Sequence, residues 1–388
     1  MNERTPVVLL GSIPREGPQT LDTLGIPFHL LTDPGEPAPE TFPSMRQAVS
    51  VPYKSDPSAV LRAVAALGPV AGVLSFTELG LLPAAMLAEA LGLPTVPVAA
   101  VLRSRHKALM RQLLRGLVDQ PAFGLVGGRP PTADQLPVVA KPVDGSGSRN
   151  VEYIETLDRY HRRAGELDGF LWEQFVTGTE YSVETVSWPG GRHQIIGITE
   201  KATTGAPYFV EAGHRVPARL GPAPEAAIRR MVPAVLDGLG IDRGAAHTEV
   251  MVSGSTAVLI ETHTRPGGDR IPLLHRLVSG LDQYQLAVRS ILQLPAIPSV
   301  EPRFTCAAVR YFSWPPGAVE AIDGLPKAAS TPGLVELEVT AGAGSTLAEW
   351  RYSNDRPGHC VVGGDSAEDV DRLLDDVEGH LSVTYAER

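Results

Sequence analysis

At 388 residues, 43% of them hydrophobic and 20% charged, the chain exceeds a comfortable single core and reads as an ordinary globular protein of two or three domains. Its 34 Lys and Arg against 44 Asp and Glu leave a net charge of -10, which argues against a general binder of nucleic acid or of an anionic membrane surface. Any polyanion it holds must be met by a local basic site.

From Pro6 to about Pro97, short apolar runs alternate with helical stretches. Val7 to Leu10, Phe28 to Leu31 and Val70 to Ser75 read as strands, and Ala59 to Leu67 and Leu79 to Leu91 as helices, which predicts a small open α/β sheet over residues 1–98. Val7 to Leu10 is far too short for a signal peptide or a membrane span, so a cytoplasmic protein with no membrane partner is expected. The loop from Gly11 to Gly17 departs from G-x-G-x-x-G, which argues against a dinucleotide site there.

Ser104 to Lys107 opens a helix expected to run to about Leu117. Pro137 to Pro142 then reads as a strand whose Lys141 feeds into Val143-Asp144-Gly145-Ser146-Gly147-Ser148-Arg149-Asn150-Val151. A loop so rich in glycine and serine exposes backbone N–H groups with few Cβ obstacles and suits phosphate oxygens, although an ordinary turn uses the same residues. Lys141 adds a point charge at its root. No G-x-x-x-x-G-K-[ST] sequence occurs. After a helical segment near Leu157 to Leu167, Phe170 to Val176 reads as a hinge strand ending in Glu173-Gln174-Phe175-Val176. A strand near Gln194 to Ile198, a loop at Thr203 to Pro207 and a helix from Pro224 to Leu239 follow.

The most informative stretch is Val258 to Arg270. Glu261, His263 and Arg265 follow an apolar run at two-residue spacing and would share one face of a strand. His247 to Val252 reads as its partner strand, with the turn formers Ser253-Gly254-Ser255-Thr256 between. A register symmetric about Ser255 sets Glu249 opposite Glu261, and two opposed carboxylates repel unless a cation lies between them. Hard oxygen ligands favour Mg2+ or Mn2+. Because His247 and Glu249 mirror Glu261 and His263, a zinc site is the alternative, and solvated strand ends are the plain one.

Leu281 to Leu292 reads as a helix closing the middle section, residues 99–300. From Glu301 on, short β runs such as Thr305 to Phe312 and Leu334 to Val339 precede a helix from Ala367 to His380, so residues 301–388 are expected to form an α+β domain. Cys306 and Cys360 have neither metal nor redox spacing and are expected to be buried free thiols.

In this order, a lysine before a helix, a strand lysine feeding a Gly/Ser loop, an E-Q-F-V hinge, two carboxylates on a hairpin and a nearby arginine resemble the ATP-grasp superfamily across roughly Leu102 to Leu292. Within it, Arg265-Pro266-Gly267-Gly268-Asp269 and the upstream Glu211-x-x-His214 are similar to the L-amino-acid ligases, including the bacilysin-type dipeptide synthetases. The resemblance implies an ATP-grasp fold of mixed α/β and α+β class: an N-terminal open α/β domain (1–98), an ATP-grasp core (99–300, with a lid at about 102–170) and a C-terminal α+β domain (301–388).

It further implies that Lys107 and Lys141 contact ATP phosphates under a loop containing Ser146, Gly147 and Ser148. Glu173, Gln174, Phe175 and Val176 would border the adenine, and Glu180 would bind the ribose. Glu249 and Glu261 would hold Mg2+, with His263, where the superfamily usually has asparagine, as a weak or outer ligand. Glu211 and His214 would bind an amino-acid ammonium, and Arg265, with Gly268 and Asp269 beside it, the substrate carboxylate. The implied activity is an ADP-forming carboxylate–amine ligase that joins an amino acid or other carboxylate to an amine acceptor through an acyl phosphate, in specialised metabolism, with Lys141 and Arg265 as catalytic groups. Two alternatives stand beside it: loading of an amino acid onto a carrier-protein thiol, and a catalytically silent nucleotide-binding protein. The expected assembly is a homodimer.

Overall fold

The computed structural model describes residues 5–145, 149–295 and 300–386. The expected phosphate-wrapping positions Ser146, Gly147 and Ser148 lie outside the described residues.

The first strands, β1 (Val7–Leu10), β2 (Phe28–Thr32), β3 (Met45–Ser50) and β4 (Val73–Ser75), form a parallel sheet in the order β3-β2-β1-β4. Every position of β1 and β2 is buried, as expected of parallel strands covered on both faces. The alternation divides the packing: Val7 and Leu9 meet Leu21 of α1 (Glu16–Thr23), whereas Val8 and Leu10 meet Val60 and Val64 of α2 (Pro57–Leu67). Helix α3 (Leu81–Ala90) follows β4, and the β4–α3 loop carries Glu78. Strand β3 lies at the sheet edge, largely exposed, which is why its sequence shows no apolar run.

The expected helix from Ser104 is instead a break between α4 (Val98–Arg105) and α5 (Lys107–Leu113). His106 ends the first and caps the second by accepting from the Leu109 N–H at 3.2 Å. Strands β5 (Phe123–Leu125), β6 (Val138–Pro142), β7 (Glu152–Ile154) and β8 (Phe170–Gln174) form an antiparallel sheet in the order β5-β8-β6-β7. Tyr160 of α6 (Leu157–Ala164) completes its small core with Val138, Ala140, Ile154 and Trp172.

The central sheet is antiparallel. It contains β9 (Thr179–Trp188), β10 (Arg192–Thr203), β11 (Glu211–Val216), β12 (Gly244–Ser253) and β13 (Thr256–His263), and continues into β14 (Cys306–Tyr311), β16 (Leu334–Val339) and β18 (Gly358–Gly364) in the order β13-β12-β9-β10-β11-β14-β18-β16. Helix α7 (Pro222–Leu239) covers it with Ile228, Met231, Val232, Val235, Leu236 and Leu239, a three-and-four spacing that makes one apolar stripe. Each such side chain contributes roughly 1.5–3 kcal/mol by burial. Helices α8 (Ile271–Ser279) and α9 (Gln283–Ile291) follow the hairpin.

The C-terminal strands thus extend the central sheet, joined where β11 pairs with β14. A separate three-stranded sheet, β17-β15-β19, uses β15 (Gly317–Asp323), β17 (Thr346–Leu347) and β19 (Ser382–Tyr385). Helix α10 (Leu325–Ala329) is short. Helix α11 (Ala367–His380) packs Val370, Leu373, Leu374 and Val377 against Cys306, Cys360 and Val362, and both cysteines are buried and free. Among the described residues no helix is long and apolar enough to cross a membrane.

Candidate active site

The β12–β13 hairpin turns on Gly254 and Ser255, since Ser253 pairs with Thr256 and Val250 with Leu259. Beyond that point the register shifts by one: Glu249 faces Glu261, Thr248 faces Thr262, and His247 faces His263. Ile260 is the extra residue of this bulge. A bulge leaves carbonyls without ladder partners, and here Arg111 supplies the donors, with Nη1 2.9 Å from the Leu259 carbonyl and Nη2 2.5 Å from that of Ile260. Arg111 is fully buried, one helical turn beyond Lys107 on α5.

Each carboxylate of the pair meets one lysine and one histidine. Lys201 Nζ lies 2.5 Å from Glu249 and Lys107 Nζ 2.9 Å from Glu261. His247 Nε2 is 3.3 Å from Glu249 and His263 Nε2 3.1 Å from Glu261. The other ring nitrogens reach carboxylates outside the hairpin: His247 Nδ1 is 2.6 Å from Glu184 on β9, and His263 Nδ1 is 3.2 Å from Glu78, off the line of a well-formed hydrogen bond. Burial disfavours the His247 imidazolium, but Glu184 and Glu249 outweigh it and push the pKa up to about 9. The same opposition, with Glu261 and Glu78 prevailing, raises His263. Burial opposes ionisation of Glu249 and Glu261 as well, yet Lys201 and His247 hold the first, and Lys107 and His263 the second, below the usual carboxylate range.

Lys107, Lys201, His247, Glu249, Glu261 and His263 line a cavity of about 400 Å3. Lys141, at the end of β6, reaches it with Nζ 2.7 Å from Glu173. Glu173, expected beside the adenine, turns its carboxylate toward Lys141 and Arg111, the latter through bonds of 2.7 and 3.1 Å. It is a bracket between lid sheet and hairpin: burial raises its pKa, and the arginine and lysine bring it down to about 2. Gln174, Phe175 and Val176 border the same cavity, where Phe175 and Phe209 form an aromatic wall with ring centroids 5.8 Å apart. Glu180 also lines it, ion-paired with Lys201. Burial, then the neighbouring Glu249 and Glu211, raise the Glu180 pKa against the pull of Lys201.

The same cavity is lined by Glu211, His214, Arg265, Gly268 and Asp269, with Glu211 3.9 Å from Lys201. Glu211 accepts from Ser353 Oγ at 3.0 Å. His214 is buried, and neither ring nitrogen has a hydrogen-bond partner among the described residues, although Nε2 comes within 3.5 Å of Asp269. Asp269 receives both Nη atoms of Arg356 at 2.8 and 2.9 Å, and that guanidinium lies 3.6 Å from the centroid of the Tyr311 ring. A side chain at Gly268 would meet open space. Arg265 donates from Nε to Glu78 at 2.8 Å and from Nη1 to the Pro266 carbonyl at 2.9 Å.

The cavity therefore gathers every described residue singled out from the sequence. Sequence reasoning missed Lys201, Arg111, Glu184, Glu78 and Arg356. Two of these left a signal: Lys201 interrupts an apolar strand run, and Arg111 follows Lys107 at helical spacing. Among the described residues no three His, Cys, Asp or Glu side chains converge into a cage for a metal ion. Two facing carboxylates in a lysine-lined cavity fit Mg2+ or Mn2+ completed by phosphate oxygens, the usual mode for Mg2+. Zinc would need ring nitrogens free to ligate, and three of the four on His247 and His263 are hydrogen-bonded to carboxylates. His263, expected as a weak or outer ligand, has its ring between Glu261 and Glu78.

A cavity between a small antiparallel lid sheet and a larger antiparallel sheet, with lysines from both and paired carboxylates on its floor, defines the class of ATP-grasp proteins. Residues 22–95 match the ATP-grasp N-terminal domain, residues 157–272 the ATP-grasp domain, and residues 310–386 the L-amino acid ligase C-terminal domain 2. The chain belongs to the ATP-grasp superfamily. Its fold matches the crystal structure of L-amino acid ligase from Bacillus licheniformis with a TM-score of 0.86 at 23% identity, covering 100% of both chains. It is 26% identical over 249 residues to an uncharacterised protein of Sinorhizobium fredii, spanning 62% of this chain and 51% of that one. It is also 26% identical over 254 residues to carnosine synthase 1 of Gallus gallus, spanning 55% of this chain and 26% of that protein. The chain thus spans about half the length of the first of these relatives and about a quarter of the second.

Proposed function

We propose that this chain is an ATP-dependent, ADP-forming carboxylate–amine ligase that joins an amino acid to an amine or a second amino acid. The observation that carries the reading is Glu249 facing Glu261 on the cavity floor, each matched by a lysine, with Lys141 above them and Arg265 beyond. Carboxylate and triphosphate are both anionic, and this array supplies the positive charge their approach requires. Mg2+ bound by Glu249 and Glu261 would neutralise phosphate oxygens.

In this reading Phe175 and Phe209 contact the purine face, Glu180 the ribose, and Lys107, Lys141 and Lys201 the phosphates. Glu211 and His214 take the substrate ammonium and Arg265 its carboxylate. A carboxylate oxygen attacks the γ-phosphorus, the bond to the β,γ-bridging oxygen breaks, and ADP leaves. The amine nitrogen then attacks the acyl-phosphate carbonyl; phosphate departs and the amine loses a proton. Water would destroy the acyl phosphate, so the loop at 203–207 is assigned to closure.

The test is incubation with ATP, Mg2+ and amino acids singly and in pairs, following ADP and product mass. ADP together with a product of one amide condensation supports the reading. Nucleotide binding without ADP in any pair refutes it in favour of a silent binding protein, and acyl transfer only to a carrier thiol replaces the amine with that acceptor.

A further inference from the structure

The N-terminal sheet contributes one charged side chain that joins the substrate arginine to the carboxylate pair. Glu78 sits at the carboxyl end of β4, 15% exposed in its side chain, and accepts from Arg265 Nε at 2.8 Å. His263 Nδ1 lies 3.2 Å from the same Oε2, while Arg105 Nε lies 3.2 Å from Oε1. One carboxylate therefore stands among three cationic or basic groups, two of which line the cavity.

The loop that carries it is closely packed. A Cβ at Gly80 would overlap Ser75 Oγ, and one at Gly11, whose φ is +92°, would overlap Thr77. Ser75 Oγ donates to the Leu10 carbonyl at 2.8 Å, tying β4 to β1 at the end where the loop begins. Glu78 is thus held by the parallel sheet rather than by the hairpin it contacts. With Glu78 on Nε and the Pro266 carbonyl on Nη1, Arg265 keeps Nη2 without a partner among the described residues. A guanidinium oriented at two nitrogens presents its remaining donors in a fixed plane, as recognition of a carboxylate requires.

We infer that Glu78 is a positioning residue: it sets the plane of Arg265 toward the substrate carboxylate and so makes the N-terminal sheet part of the substrate site. The inference rests on the ligase reading above, with Arg265 binding the carboxylate. Glu78 takes no proton and forms no bond to substrate. It acts by removing the guanidinium's freedom to rotate, so its loss should weaken capture of the amino acid and leave nucleotide binding, made by Lys107, Lys141 and Lys201, nearly as it was.

Glu78→Gln keeps size and an acceptor oxygen but removes the charge; Glu78→Asp keeps the charge and withdraws it by one methylene. ADP release is measured with amino acid varied at saturating Mg-ATP, and with ATP varied at saturating amino acid. The expected result is a KM for the amino acid raised on the order of 10- to 100-fold in Glu78→Gln, with Glu78→Asp between it and the wild type. The KM for ATP should stay within about twofold, because KM does not depend on the fraction of folded enzyme and a merely structural defect would lower only apparent kcat and Tm. An amino-acid KM within about twofold of wild type in both variants overturns this inference while leaving the ligase reading intact. A wild-type protein that releases no ADP overturns both.

Discussion

Arg111 donates from Nη2 to the carbonyl of Ile260, 2.5 Å away, at the bulged position that sets Glu249 against Glu261. Without the extra residue the register from the turn would pair Glu249 with Ile260, and Glu261 would point to the other face of the sheet. The same guanidinium holds Glu173, which holds Lys141. Arg111→Met would leave the buried Glu173 with Lys141 as its one paired cation among the described residues and unpartner two carbonyls. The expected loss is about 3–5 kcal/mol, the range for breaking a buried pair from one side. A urea unfolding midpoint checks it, and a loss below about 1 kcal/mol would show that the bulge holds without Arg111.

Glu261→Gln preserves shape and removes one of the two floor charges. ADP release should fall on the order of 100- to 1,000-fold, as when one preorganised electrostatic group is deleted from an active site. Far-UV circular dichroism should be unchanged, since Thr262 and Thr248 still pair across the hairpin at 2.8 Å. Turnover near the wild-type rate would remove Glu261 from the site.

The carboxylate pairing was legible because the hairpin's spacing about Ser255 is symmetric. The molecule reaches the same pairing by another route, a two-residue turn followed by a bulge at Ile260, and the two one-residue offsets cancel. Lys141 stood out as a charge ending an apolar strand, whereas Glu180 and Glu211 were reached through the family resemblance. Glu78, Glu184 and Arg356 did not, because each is an ordinary charged residue in its own segment and acquires its role by folding against a distant one: Glu78 against Arg265, 187 residues on, and Arg356 against Asp269, 87 residues back. Strand β3 was hidden for a different reason, since an exposed edge strand buries too little to need an apolar run.

Arg356 braces the substrate end. Asp269 and Arg270 both have positive φ, +52° and +64°, a left-handed pair that non-glycine residues rarely adopt, and the bidentate bond from Arg356 holds the first of them. Arg356→Met keeps much of the packing on Tyr311 but leaves Asp269 without its cation. The expected outcome is a stability loss of roughly 2–4 kcal/mol together with a raised KM for the amino acid, read by thermal unfolding and by ADP release. A variant that loses neither would show that the backbone at Asp269 holds itself.

His275 on α8 gives a pH signature away from the carboxylate pair. Its ring lies against Gly197, where a Cβ would overlap it, and its Nε2 is 2.9 Å from Thr199 Oγ1. Burial lowers its pKa from 6.5 to about 4, partly opposed by Glu184 and reinforced by His247. Below pH 6.5 the unfolded chain therefore takes up a proton that the folded protein refuses until about pH 4, so this group leaves stability unchanged above that window and lowers it as pH falls through it. Between pH 7 and pH 4.5 the wild type should lose roughly 2–3 kcal/mol more than His275→Gln, which cannot titrate. Denaturant midpoints of both proteins at the two pH values decide it: parallel losses would mean that His275 is already charged in the folded state, with its ring turned out of the pocket formed by Gly197 and Thr199.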